Sequence, residues 1–183
     1  MLEPQLDPQY LEVFPSFLRS LGTDAAALGA VVNAEAPESV RRYVVAGLNY
    51  IFKSLDLIPD GIDDLGYLDD AFVLRVAASL AVRVSEGAQV AELAEPLGRL
   101  AAEAEQVQAF LGDVYPRLEA YVKGLLNGAA RGRTVDDVIG DAAIRETFLH
   151  EVEAWAKDYQ VPSFTRDLKT LIKLKSFLSA KLS

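Results

Sequence analysis

The sequence predicts an all-α protein, a compact bundle of about seven or eight helices around a central helical hairpin. Three observations predict this class. Apolar residues recur at three- and four-residue spacing in nearly every segment. No segment alternates apolar and polar residues as a half-buried strand does. Proline and glycine separate the chain into pieces of helical length. With 183 residues, the chain is expected to form a single domain over residues 1–183.

Two helices are predicted before residue 33. Apolar residues at helical spacing over residues 10–21 give the first helix, which Pro15 should bend or split and Gly22 should end. Asp24 is then expected to cap the N-terminus of an alanine-rich second helix. In this interpretation neither helix crosses Gly22.

Two longer apolar helices are expected to form the centre of the domain, over residues 37–87. The first begins at Pro37, which loses no hydrogen bond there, and Glu38 meets the positive end of the helix dipole. Its apolar residues cover a wide arc, so this helix should be buried. The second helix runs over about residues 68–86, and an acidic connection joins the two. Together they predict a helical hairpin.

The second half of the chain contains the remaining predicted helices. They cover residues 96–111, residues 116–127, a long stretch that includes residues 144–159, and a last segment from Thr165 towards the C-terminus. Residues 129–133 (AARGR) are predicted to be a loop. Thr134, with Asp137 three residues later, approximates a capping box at the start of the long helix.

Composition and charge exclude several functions. Without cysteine the chain has no disulfide, thiolate metal site or cysteine nucleophile, and a reducing cytoplasm is the expected location. A net charge of −9 disfavours a nucleic-acid partner. No uncharged apolar run approaches the roughly 20 residues of a transmembrane segment. His150 is the single histidine, so no histidine triad is expected, and the sequence predicts no catalytic or cofactor-binding residues.

The connection of the central hairpin is the most unusual stretch, YIFKSLDLIPDGIDDLGYLDDAFVLR at residues 50–75. Its two pentapeptides, DLIPD at residues 56–60 and GYLDD at residues 66–70, resemble the YkvA-like family of small helical domains of unknown function. The match covers about residues 47–80. The resemblance implies a hydrophobic helix on each side of a short loop. The loop here is more acidic than is usual in that family.

The aspartates of this connection have two principal interpretations. As a folding device, Asp56 and Asp60 would accept hydrogen bonds from the backbone of the turn, and Asp69 or Asp70 would stabilise the first turn of the next helix. As a metal site, Asp56, Asp60, Asp69 and Asp70 would bind Ca²⁺ or Mg²⁺, which would relieve the repulsion among the carboxylates. The spacing does not match an EF-hand. A third interpretation, a diphosphate-binding motif like that of isoprenoid synthases, would need residues 136–137 as its second motif.

The C-terminal helix, residues 164–183, differs in charge from the rest of the chain. Five basic residues and one aspartate give it a net charge of +4, which leaves −13 for the preceding residues. Its apolar arc is broad. In the simpler interpretation it packs on the bundle and its lysines offset the acidic body. In the other it is an amphipathic element that docks on a partner protein or, as a peripheral contact, on anionic lipid, although the acidic body disfavours lipid.

The sequence therefore predicts a non-catalytic protein-binding or scaffold module that presents the acidic loop or the basic C-terminal helix to another protein. The rival function is that of a divalent-cation-binding protein or a metal-dependent enzyme that uses the aspartate cluster. The two differ in what the aspartates contact. In a scaffold the aspartates accept hydrogen bonds from backbone amides, whereas in an enzyme they lie beside a concave pocket.

Overall fold

The computed structural model describes residues 7–53, 56–58, 65–85 and 95–182. Within these residues it confirms the all-α fold, with seven α-helices of ten residues or more and one helix of six residues. In chain order they are α1 Tyr10–Val32, α2 Glu38–Tyr50, α3 Leu68–Val84, α4 Glu95–Leu111, α5 Tyr115–Gly124, α6 Val135–Gly140, α7 Ala142–Asp158 and α8 Leu168–Lys181. The 3-10 turns Gly112–Val114 and Leu125–Asn127 flank α5. No helix in the described ranges is long and apolar enough to cross a membrane.

Helix α3 lies at the centre of the bundle. Every residue from Leu68 to Ala78 is buried, and the helix packs most extensively against α2 and α4. Helices α2 and α3 approach closely at Gly47, where an added Cβ would lie 2.9 Å from the Cβ of Ala77. Phe72 of α3 also joins an aromatic core, its ring centroid 5.0 Å from that of Phe14. The predicted central hairpin is therefore the core of the fold.

The structure corrects the prediction of two helices before residue 33. Helix α1 runs without a break from Tyr10 to Val32, through both Pro15 and Gly22. Gly22 lies where α7 approaches α1, and a Cβ at this position would be 3.1 Å from the carbonyl oxygen of Ala156. The glycine therefore permits close helix packing and does not end the helix. Asp24 is not an N-cap, because it lies inside α1 and is only 3% exposed.

The predicted long helix after Thr134 is in fact two helices. The capping box is confirmed, since the Asp137 amide donates to Thr134 Oγ1 (3.0 Å) and the Thr134 amide donates to the Asp137 carboxylate (2.9 Å). Helix α6 ends at Gly140, however, and Asp141 adopts an extended backbone conformation. The Asp141 carboxylate then accepts hydrogen bonds from two amides in the first turn of α7. An aspartate that caps a new helix therefore separates α6 from α7.

Residues 129–133, predicted to be a loop, form most of a tight β-hairpin. Strand β1, Ala129–Ala130, pairs antiparallel with β2, Arg133–Thr134. The turn residues Arg131 and Gly132 have φ values of 51° and 74°, as a type I′ turn requires. Arg131 and Arg133 both form ion pairs with Glu151 of α7, and both guanidinium groups lie over the ring of Phe52. These contacts fix the hairpin between the end of α2 and α7.

Candidate functional site

Asp69 and Asp70 lie in the first turn of α3 and are almost completely buried, with exposures of 0% and 2%. Asp69 Oδ2 accepts hydrogen bonds from the Tyr50 hydroxyl (2.5 Å) and from the Ile58 amide (3.4 Å). The Tyr50 oxygen in turn accepts a hydrogen bond from the Leu57 amide (2.8 Å). A carboxylate and a phenol therefore hold the backbone of residues 56–58, here called the DLI turn, against the ends of α2 and α3.

The negative charges of the aspartates contribute to raised pKa values of the tyrosines around them. Burial, and next the charge of Asp69, raises the pKa of Tyr50 far above its usual range, so the phenol stays a hydrogen-bond donor. Burial, together with the charges of Asp56, Asp69 and Asp70, raises the pKa of Tyr121 to about 12. These three carboxylates therefore lie close enough to affect one phenol, and neighbouring tyrosines remain neutral.

The structure describes three of the four aspartates that were predicted to bind a cation. Asp56 is half-buried, Asp69 and Asp70 are buried, and Asp60 lies outside the described residues. Among the described residues, no group of three or more His, Cys, Asp or Glu side chains could hold a metal ion. The Ca²⁺ or Mg²⁺ site therefore stays a prediction. The contacts of Asp69 with a backbone amide and a phenol are those expected of a folding device.

Tyr67, in the second pentapeptide, adopts a left-handed backbone conformation with φ of 67° immediately before α3. Such a conformation costs a residue other than glycine roughly 1–2 kcal/mol. Its ring packs edge-on against Trp155 and Tyr159, with centroid distances of 6.2 and 5.6 Å. Each aromatic pair contributes about 0.5–1.5 kcal/mol, which offsets the strain. The Tyr159 hydroxyl donates to the Leu18 carbonyl (2.7 Å), so this aromatic group ties the start of α3 to α1.

A second buried polar cluster, centred on Arg75 of α3, was not predicted from the sequence. Arg75 is completely buried, and its guanidinium lies 3.7 Å from the centroid of the Phe17 ring. Its Nε donates to Glu103 (2.9 Å) and its Nη1 donates to the Ala71 carbonyl (3.0 Å). Its Nη2 lies 3.7 Å from the carboxylate of Asp24. A buried cation therefore joins α3 to α1 and α4.

Arg99 of α4 completes this cluster from the surface, where it forms ion pairs with both Asp24 and Glu103. Burial lowers the pKa of Arg75, while the charges of Glu103 and Asp24 act in the opposite direction. The positive charges of Arg75 and Arg99 thus balance the negative charges of Asp24 and Glu103 where α1, α3 and α4 meet, with Arg75 on the buried side and Arg99 on the exposed side. The signal in the sequence was Arg75 itself, which interrupts an apolar run of helical length.

Helix α8 has one buried and one exposed face. It begins at Leu168, three residues later than predicted, because Asp167 caps it by accepting a hydrogen bond from the Lys169 amide (2.9 Å). The side chains that it buries are Thr170, Leu171, Leu174 and Leu178. The opposite face, here called the α8 face, consists of Leu168, Lys169, Ile172 and Lys173, which are all exposed.

The α8 face is apolar as well as basic. Leu168 is 43% exposed and Ile172 is 54% exposed. Val161, which shortly precedes the helix, is 54% exposed. Among the residues that the structure describes, these three are the only large hydrophobic residues that are exposed. Within the described ranges, an apolar surface beside exposed lysines therefore occurs only in the segment from Val161 to Lys173.

Two open grooves lie elsewhere on the surface. One, of about 480 Å³, lies between Asn33 at the end of α1 and the outer face of α7. The other, of about 520 Å³, lies between α3, α4 and α5 beside the Arg83–Glu119 ion pair. No protein-family model matches this chain, and neither a curated protein nor a solved structure matches it. Function is therefore inferred from the geometry of the chain itself.

Proposed function

We propose that this protein is a non-catalytic protein-binding or scaffold module of the cytoplasm and that the α8 face is its docking surface. One observation carries the proposal. Among the described residues, the large exposed hydrophobic side chains all lie between Val161 and Ile172. Exposed apolar residues that cluster, rather than scatter singly, are typical of interaction sites. An apolar centre with a polar rim is also the usual composition of a protein interface.

The charge of the α8 face defines the chemistry of the partner. Lys169 and Lys173 stand beside Leu168 and Ile172 on exposed turns of one helix. A partner that fits this surface presents aliphatic side chains flanked by Asp or Glu. Opposite charges at the rim steer the encounter and select the partner, while the apolar contact holds it. Anionic lipid fits less well, because residues 1–163 carry a net charge of −13.

We further propose that α2, α3 and their connection form a YkvA-like hairpin whose aspartates serve the fold. The supporting observation is that Leu57, Ile58 and Leu65 are buried at the end of the hairpin, with exposures of 5%, 0% and 0%. The hydrogen bonds of Asp69 to Tyr50 and Ile58 also lie within this connection. In this proposal the hairpin is a scaffold that positions the remaining helices, and binding takes place at α8.

Photo-crosslinking tests the binding proposal. The photoreactive residue benzoylphenylalanine replaces Ile172 in one protein and, as a control, the exposed Ala109 of α4 in another. We expect cross-linked adducts with defined proteins from position 172 and none of the same adducts from position 109. Charge reversal at the α8 face (K169E/K173E) should abolish those adducts. The matched reversal R19E/R117E, at exposed arginines of α1 and α5, changes the net charge equally and should leave them intact.

Two outcomes contradict the proposal. Positions 172 and 109 could give the same adducts, in which case the α8 face is not a specific surface. Adducts from position 172 could also persist in K169E/K173E, in which case its lysines do not select the partner. The six substituted positions are all exposed, and substitutions there should change stability by no more than about 0.5 kcal/mol, so loss of folding does not confuse the result.

A further inference from the structure

We infer that the α8 face binds a second copy of this chain, in the groove beside α7. The inference rests on the proposed function, because it identifies the partner of the same surface. The groove has a volume of about 480 Å³, and Glu146, Leu149 and Glu153 of α7 contribute to its lining. We call these three residues the α7 site.

The α7 site is acidic and accessible. The side chain of Glu146 is 77% exposed, and Glu153 is also exposed, while Leu149 is partly buried because it packs against the core near Gly29 of α1. Arg145 lines the same groove, but it donates to the carbonyl of Ile139 at the end of α6 (2.8 Å). That hydrogen bond holds the guanidinium at the C-terminal end of α6, and with its positive charge included the lining of the groove keeps a net charge of −1. His150 is exposed and lies 3.9 Å from Glu146.

The two surfaces are complementary in charge. On α8, Ile172 lies between Lys169 and Lys173, and on α7, Leu149 lies between Glu146 and Glu153. Each surface combines an aliphatic side chain with two like charges, and the signs are opposite. The spacing differs, because Lys169 and Lys173 stand three residues before and one after Ile172, whereas Glu146 and Glu153 stand three before and four after Leu149. The lysines span about 6 Å along their helix and the glutamates about 10 Å. Flexible lysine stems of four carbons can bridge that difference.

The geometry points to a second molecule rather than to a contact within one chain. Leu171, Leu174 and Leu178 anchor the opposite side of α8 in its own bundle. The α8 face consequently points away from the bundle that carries it, and reaching its own α7 would require α8 to detach. The contact joins two different surfaces, so it is heterologous unless two copies of it meet in one two-fold dimer, whose interface is isologous. Two such contacts close a dimer if the symmetry permits, and otherwise the contact propagates into larger assemblies.

A charge-swap experiment on the full chain tests this inference. Sedimentation velocity measures the molecular mass from micromolar to several hundred micromolar protein, at low and at high salt. We expect concentration-dependent association that weakens as salt increases. The variants K169E/K173E and E146K/E153K should each weaken self-association at least tenfold, since each places like charges on both sides of the contact. An equimolar mixture of the two should associate again, because both contacts then pair opposite charges.

The other results overturn the inference. Wild-type protein that stays monomeric at every concentration has no such contact. Association that survives both reversals, or that the mixture does not restore, arises from another surface. Binding of monomeric protein to anionic vesicles, lost in K169E/K173E, would assign the α8 face to a lipid surface. If the wild type is monomeric while position 172 still cross-links to other proteins, this inference fails and the proposed function stands.

Discussion

Replacing Arg75 by methionine should destabilise the fold by about 3–5 kcal/mol, the typical cost of removing one partner from a buried ion pair. The guanidinium is completely buried, and without it Asp24 and Glu103 keep only Arg99, whose side chain is 45% exposed, as a cationic partner. Methionine has a similar length, so the change removes the charge and the hydrogen bonds rather than the bulk. Urea unfolding monitored by circular dichroism measures the loss of stability.

Arg83 provides the matched control for Arg75. It lies on the same helix and pairs with Glu119 (2.8 Å), but its side chain is 53% exposed. The Arg83→Met variant should therefore cost no more than about 1 kcal/mol. In the double variant R75M/D24N the two losses should be less than additive, by roughly 0.5–3 kcal/mol, because the two residues belong to one network. Equal losses for R75M and R83M would contradict the importance of burial in this cluster.

Replacing Tyr50 by phenylalanine should cost about 2–4 kcal/mol, because two buried hydrogen-bonding groups each lose a partner. The Tyr50 hydroxyl donates to Asp69 and accepts from the Leu57 amide, and both contacts lie inside the protein. The ring and its packing remain, so the loss reports the hydroxyl alone. The free energy of unfolding from denaturant titration measures it.

Tyr43, two turns earlier on α2, is the control for Tyr50. It is half-buried, and no hydrogen bond joins its hydroxyl to another described residue. The Tyr43→Phe variant should remain within about 0.5 kcal/mol of the wild type. If Tyr50→Phe is equally neutral, the phenol does not hold the DLI turn, and the structural role assigned to Asp69 loses its main support.

The features that the sequence could predict are those that depend on neighbouring residues. The helical spacing of apolar residues located most of the helices. The capping box depends only on Thr134 and Asp137, and both of its hydrogen bonds form. Asp69 and Asp70 occupy the first helical turn for an equally local reason, the dipole of α3.

The features that were missed depend on residues distant in the chain. Gly22 looks like a helix end until α7 is packed against it, and Asp24 looks like a cap until Arg75 and Arg99 reach it from other helices. Tyr50 was not identified as the partner of Asp69, because 19 residues separate them. The sequence also showed a broad apolar arc on α8. The sequence of α8 alone does not determine which part of that arc is exposed, because this depends on how the rest of the bundle packs against the helix.

We propose two separate roles, in which the aspartate connection serves the fold and the α8 face serves binding. The most direct test is the thermal unfolding of chelator-treated protein, alone and with Ca²⁺, Mg²⁺ or Mn²⁺ at constant ionic strength. We predict that no cation raises the melting temperature, because Asp69 is already engaged by Tyr50 and Ile58. A cation at 100 times its dissociation constant would add about 2.7 kcal/mol of stability, or roughly 5–10 °C. A shift of that size with one cation, lost in Asp69→Asn protein that still folds, would contradict the claim and establish the aspartates as a metal site.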